Sequence, residues 1–260
     1  VPFTLAHPAA VLPLLRTPLV PSALVAGAVA PDLPYYVSLQ WLGGDYNLTL
    51  THEPSSLLWL DPLIALVLLA AFSLVLARPL TALLPRAAAE RTRPSAERSS
   101  WRGRTAAWLL PSLVVGAATH LAWDALGTAA GTTWSGRVDL AGTVLGGVAL
   151  AGRLVRWWRT TPRRPVPPGT LLPRWPGRGV RLALLATAAM AAGIGLARQL
   201  PEVQESLREQ GIWSIAEVTR FASRIAVIEA GTAVGAAVLV YALCWHLARV
   251  PGGDRGRLSR

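Results

Sequence analysis

Lysine is absent from this 260-residue chain, cysteine and methionine occur once each, and charged residues make up only 15% of it. Each scarcity excludes something. The single Cys244 rules out an intramolecular disulfide and a thiolate cage, so any bound metal must be held by histidine and carboxylate. The low charge, with 52% hydrophobic residues and a mean hydropathy of +0.41, excludes a soluble domain with a large core and points to a polytopic membrane protein. A basic leading region, an unbroken apolar core and a small-residue cleavage site are all missing near the N-terminus, where Pro8, Pro13, Pro18 and Pro21 interrupt the chain. That stretch is expected to stay in the mature protein and not to leave as a signal peptide. With Met190 the only methionine, Val1 reads as a GTG start codon. Arginine in place of lysine, with abundant Ala, Gly and Pro, reads as the usage of a GC-rich bacterial genome.

What is present is apolar and long. Runs fall over Pro18 to Trp41, Leu57 to Ala77, Ala106 to Leu126, Val138 to Trp158, Val180 to Leu200 and Ile225 to Val250, each bounded by Arg, Pro or Gly. The expected fold is all-α, a polytopic membrane helical bundle of about six hydrophobic segments, since a span takes roughly 20 apolar residues. The first run is the exception. Residues Pro2 to Asp32 hold two apolar pieces, Ala9 to Leu15 and Pro21 to Ala30, each too short to span, which predict either a helical hairpin dipping partway into the bilayer and returning Asp32 to the level of His7 or a single kinked span ending near Tyr36. The expected organisation is a membrane helical domain over 1–158, a Pro- and Arg-rich cytoplasmic linker over 159–179, a transmembrane helix pair over 180–250 and a basic tail over 251–260.

The sequence pI of 11.4 invites a nucleic-acid reading, and the placement of the arginines argues against one. They cluster from Arg78 to Arg104, from Arg153 to Arg181 and from Arg249 to Arg260, whereas 42–56 and 127–135 carry none. Alternate connections are basic, the signature of cytoplasmic loops. Trp41, Trp59, Trp123, Trp134 and Trp213 toward the outer ends, with Trp101, Trp108, Trp157, Trp158 and Trp245 toward the inner ends, give the same layout as interfacial belts. The expected setting is the cytoplasmic (inner) membrane of a bacterium, with a cytoplasmic C-terminus, the lipid bilayer as partner and no nucleic acid. Gly142 with Gly146 and Gly231 with Gly235 stand at GxxxG spacing, and Gly193 with Gly195 adds small residues for close helix approach. That signal leaves the oligomeric state open.

Chemistry concentrates near the outer boundary of the front half. His7, Asp32, Asp45, His52, Glu53, Asp61, His120, Asp124 and Asp139 gather there with almost no arginine among them. Imidazoles and carboxylates without compensating cations suit a divalent ion, whose charge removes their mutual repulsion. His120 and Asp124 stand four residues apart inside an apolar run, hence on one helix face, and ionisable groups there cost roughly 2.5 to 3.5 kcal/mol each unless paired or ion-bound. The candidate metal ligands are His7, Asp32, His52, His120 and Asp124, with Thr119 available to orient one of them. Each has a plainer alternative: an Asp–His hydrogen bond between helices for His120 and Asp124, a turn carboxylate for Asp32 beside its prolines, an interfacial residue for His52 and His7, a first-turn residue for Asp61.

Read together, Val1-Pro-Phe-Thr-Leu-Ala-His7, Ala30-Pro-Asp32-Leu-Pro, Thr51-His52 and Ala118-Thr-His120-Leu-Ala-Trp-Asp124 resemble, in order and spacing, a bacterial integral-membrane family known only as a domain of unknown function. The resemblance covers about the first 160 residues, and it carries no activity. The same order is more distantly similar to the membrane-bound metal-dependent hydrolases, in which an early His, a Pro-Asp and a Thr-His precede a membrane helix. In that pattern the Pro-Asp is usually extended by a second Asp and a His; here Leu33-Pro34 follow, and Glu53-Pro54 stand where Ser follows the Thr-His. The zinc-dependent phospholipase C group also uses a His-x-x-x-Asp pair, here His120 and Asp124, but with more ligands than this chain offers. The residues and these likenesses together lead to the expectation of a membrane-embedded hydrolase with one or two divalent ions such as zinc; the location at the membrane boundary suggests a phosphodiester or lipid substrate, and Asp32 or Glu53 is the expected general base. Arg137 is the nearest cation for an anionic head group. The rival expectation is a non-catalytic membrane protein, a transport component or scaffold, in which the same groups form a closed polar cluster.

Overall fold

In a computed structural model the chain is all-α, with no strand among the described residues, which are 4–37, 50–92 and 104–249. Trp41, Asp45, most of the arginine-rich stretch between Arg86 and Arg104, and the basic tail lie outside them. Among the described residues five helices are long and apolar enough to cross a membrane: Leu60–Leu83 (α2), Ala106–Ala129 within a helix that begins at Arg104 (α3), Gly136–Thr160 within one that begins at Gly131 (α4), Arg174–Glu209 (α5) and Ile215–Leu247 (α6). These match the last five apolar runs and extend beyond most of their ends. The chain is a multi-pass membrane protein. The first run is not a span. It holds the nine-residue helix Pro21–Val29 (α1), a 3-10 turn over Ala30–Asp32 and a helical turn over Leu33–Tyr36, preceded by 3-10 turns over Thr4–Ala9 and Leu12–Arg16.

The connection expected over 127–135 nearly vanishes. α3 runs to Ala129 and α4 starts at Gly131, whose φ of 72° reverses the chain in a conformation that a residue with a Cβ rarely adopts.

The chain divides into two compact units. The first comprises Val1–Ser73 and Ala87–Pro165, the second Leu74–Arg86 and Val166–Arg260. In the first, α1 lies against α3 at a distance set by two glycines. A methyl on Gly27 would overlap the Leu113 carbonyl, and one on Gly116 would overlap the Leu24 carbonyl. The short helix is anchored again at its start, where no side chain of its own caps it: the Val20 amide donates to Ser112 Oγ at 2.8 Å. Ala23, Ala30, Ile64, Ala65, Leu69 and Leu113 form one buried cluster across α1, α2 and α3, and Val11, Leu24 and Ala28 form another inside the hairpin. Gly142 and Gly146 serve packing within the chain, Gly142 against the Trp123 indole and Gly146 against Ala6.

In the second unit α5 and α6 pack on each other and on residues 77–83 of α2. Pro79 has no amide to give the Val75 carbonyl one turn back. His246 Nε2 donates to that carbonyl at 2.9 Å, and the Tyr241 hydroxyl donates to the Pro79 carbonyl at 3.0 Å. His246 is thus engaged in repairing a proline-broken helix. Gly195 lets the Glu229 side chain lie against α5, where Gln199 donates to it at 2.6 Å, while Gly193 and Gly235 face open space.

Candidate metal centre

Four separate pieces of chain deliver the five predicted ligands to one place. The 3-10 turn Thr4–Ala9 brings His7, the turn that ends α1 brings Asp32, the bend before α2 brings His52, and α3 brings His120 with Asp124 one turn later. His7, Asp32 and His120 are buried, while Asp124 and His52 keep 12% and 22% of their side-chain surface, although the atoms they turn inward, His52 Nε2 and Asp124 Oδ2, are buried.

His120 is the best-defined member. Its Nδ1 donates to the Ala28 carbonyl at 2.9 Å, and because a carbonyl only accepts, Nδ1 carries a proton and Nε2, turned inward, is the nitrogen left to bind an ion. That contact exists because the two glycines let α1 press on α3. From Nε2 the nearest oxygens are Asp32 Oδ1 and Asp124 Oδ2, both at 3.5 Å. His52 Nε2 stands 3.5 Å from the same Asp32 oxygen and 3.6 Å from the same Asp124 oxygen. His52 Nδ1 and Thr51 Oγ1 lie 3.2 Å apart. His7 behaves differently: its Nε2 is 3.1 Å from Asp124 Oδ1, a hydrogen bond to the carboxylate oxygen that does not face the other two histidines, and its Nδ1 is 3.9 Å from Asp32 Oδ2.

Separations of 3.5 to 3.6 Å are long for hydrogen bonds. They are close to what a shared ion requires, since four donors roughly 2.0 to 2.1 Å from a tetrahedral zinc lie about 3.3 Å apart. Among the described residues His7 Nδ1, His120 Nε2 and Asp124 Oδ2 are buried with no hydrogen-bond partner, a costly state for polar atoms unless something binds them. The residues present fit a divalent ion: His7, Asp32 and His120 form one buried group able to hold it, and His52, His120 and Asp124 form another.

The remaining candidates fall elsewhere. Glu53 is exposed and its carboxylate accepts a hydrogen bond from Ser55 at 3.3 Å. Thr119 turns back on its own helix, its hydroxyl donating to the Gly116 carbonyl at 2.7 Å, so the orienting contact to His120 is made by the Ala28 backbone instead. The Arg137 guanidinium stacks over the Trp134 ring at 4.7 Å. Asp61, expected to be a routine first-turn residue, is fully buried, with Oδ2 2.6 Å from Ser56 Oγ and Oδ1 without a hydrogen-bond partner among the described residues. Its position before Pro62 gave no hint of burial, because Asp-Pro is common at exposed helix starts; a further acid at the outer end of a span was the available signal.

The fold and this cluster define a class: a helical membrane protein with a buried histidine–aspartate centre able to hold a metal ion. The chain belongs to the family described as Domain of unknown function (DUF4184), whose model matches residues 1–140. All five residues of the centre lie within that match, whereas nearly all of the second unit lies beyond it. No curated protein matches the chain, and no solved structure does.

Proposed function

We propose that the protein is a membrane-embedded, metal-dependent hydrolase acting on a phosphodiester or lipid, with a divalent ion, zinc first among the candidates, held in the cluster of His7, Asp32, His52, His120 and Asp124. One observation carries the reading: nitrogen and carboxylate oxygen atoms from four separate chain segments converge at ion-sharing distances, closed off behind and partly exposed at His52 and Asp124. A structural cluster would be fully hydrogen-bonded and sealed, whereas a reactive centre keeps an approach for substrate. A divalent ion bound there supplies Lewis acidity, polarising a phosphoryl or acyl oxygen and lowering the pKa of water toward neutrality.

The chain's own residues then have distinct tasks. His120, fixed by the Ala28 carbonyl, presents a lone pair in one direction only. Asp32 and Asp124 supply the negative charge that offsets the ion's. Asp32, within the cluster, is one candidate to take a proton from an attacking water, and Glu53, exposed and next to His52 in sequence, is the other. The location at the end of apolar helices suits a substrate with a lipid part.

Elemental analysis of the detergent-purified protein tests this. Stoichiometric metal is expected in the parent and in His246→Ala, with loss in His120→Ala and Asp124→Ala. A chelator should abolish hydrolysis of a phosphodiester or phospholipid probe, and added Zn²⁺ or Mn²⁺ should restore it. Metal retained in every variant removes the ligand assignment. Metal without hydrolysis of phosphodiester, phosphomonoester or carboxylic ester removes the enzyme reading and leaves a metal-binding membrane protein.

A further inference from the structure

The two groups able to hold an ion share His120, and the shared residue has one atom to give. Its Nδ1 proton is committed to the Ala28 carbonyl, so Nε2 is the only donor it offers. The groups are therefore competing descriptions of one ion and not two adjacent sites.

The ring planes decide between them. A histidine lone pair lies in the plane of its ring, so two imidazoles ligate one ion only where their planes meet near it. The His7 and His120 rings are stacked face to face, centroids 3.8 Å apart and planes 18° from parallel. Nearly parallel planes at that spacing do not converge within about 2 Å of either nitrogen, the bond length a zinc–imidazole contact needs. The rings of His52 and His120 are 5.5 Å apart and inclined by 69°, so their planes cross. Two nitrogens then share the same two oxygens: His52 Nε2 and His120 Nε2 each lie 3.5 to 3.6 Å from both Asp32 Oδ1 and Asp124 Oδ2.

Resting on the metal-centre reading above, we infer that the chain binds a single ion through His52, His120, Asp32 and Asp124, and that His7 is a positioning residue that holds Asp124 from behind. The His7 Nε2 proton goes to Asp124 Oδ1, which leaves Oδ2 turned toward the ion; the face of the same ring presses on His120 and fixes its rotation. The edge of Trp123, 6.2 Å away at 64°, backs His7 in turn. Partners of this kind set the orientation and basicity of a ligand, and their removal typically weakens metal binding about 10- to 100-fold without abolishing it.

X-ray absorption on the zinc-loaded full chain counts imidazoles without any substitution. One ion per chain with two imidazoles is expected; three imidazoles, or two ions, would overturn the inference. Zinc titration of variants gives the second arm. His7→Gln keeps an N–H near the Nε2 position and should bind one ion with affinity within about threefold of the parent, His7→Ala should bind one ion about 10- to 100-fold more weakly, and His52→Ala should lose far more than His7→Ala. His7→Ala and His7→Gln both as empty as His120→Ala at saturating zinc would also overturn it. A parent that takes up no zinc, cobalt or manganese removes the metal-centre reading and this inference with it, whereas zinc bound through three imidazoles removes this inference alone.

Discussion

A buried hydroxyl with two acceptors is the residue-scale feature most easily tested outside the ligand set. Ser56 Oγ lies 2.6 Å from the Glu53 carbonyl and 2.6 Å from Asp61 Oδ2, inside the 3-10 turn Pro54–Leu58 that joins the His52 bend to α2. Ser56→Ala leaves a fully buried carboxylate without that contact and frees the turn. Unmet buried polar groups cost about 1 to 3 kcal/mol, so a lower thermal midpoint in detergent is expected, with weaker metal uptake because His52 stands four residues before Ser56. An unchanged midpoint would mean that the hydroxyl is not holding Asp61. At this scale the residue types of the centre were legible: histidines and aspartates without nearby arginine, two of them one helical turn apart inside an apolar run. Their division of labour was not. Whether His7 ligates or positions depends on the angle between two rings brought together from residues 113 apart, and no local spacing encodes it.

At the scale of elements, the centre depends on how closely α1 approaches α3. Gly27 and Gly116 sit in each other's path, and the same approach places the Ala28 carbonyl on His120 and Asp32 beside the imidazoles. Gly27→Ala or Gly116→Ala must push the helices apart, and both should lower the thermal midpoint and release the metal together. Gly147→Ala is the control: it faces open space within α4, and there alanine should be neutral or stabilising by about 0.5 to 1 kcal/mol, as expected for glycine replaced inside a helix. If Gly27→Ala behaves like Gly147→Ala, the helix contact does not hold the centre. The spans were legible because hydropathy alone sets them. This contact was not, because neither Gly27 nor Gly116 has a second glycine four residues away; the visible GxxxG pairs packed in part against other partners, Gly142 and Gly146 on Trp123 and Ala6, with Gly235 open. The six-residue π stretch Ala71–Leu76 within α2, at which the two units divide, likewise had no counterpart in the apolar pattern.

At the scale of the whole molecule, arginine placement forecasts which side of the bilayer the centre faces. Successive helices that each cross a bilayer must run in alternate directions. The ends at Thr160 and Arg174 flank the stretch holding Arg163 and Arg164, and the last span ends two residues before Arg249. The opposite ends carry the arginine-free turn between Ala129 and Gly131 and the start of α2, beside which His52 lies. Because positive charge is retained on the cytoplasmic side, these latter ends should face outward, and the metal centre with them. Cys244 makes the test clean, since Cys244→Ser yields a cysteine-free chain. In that background Ser55→Cys and Gln210→Cys should react with a membrane-impermeant maleimide in intact bacterial cells, and Arg163→Cys and Arg249→Cys only after permeabilisation; all four side chains are exposed, so access and not burial decides the outcome. The reverse pattern would put the centre at the cytoplasmic face and direct the search for substrate to the inner leaflet. Labelling of Ser55 and Gln210 from opposite sides would mean that one of the five apolar helices does not span, since alternation allows them only the same side.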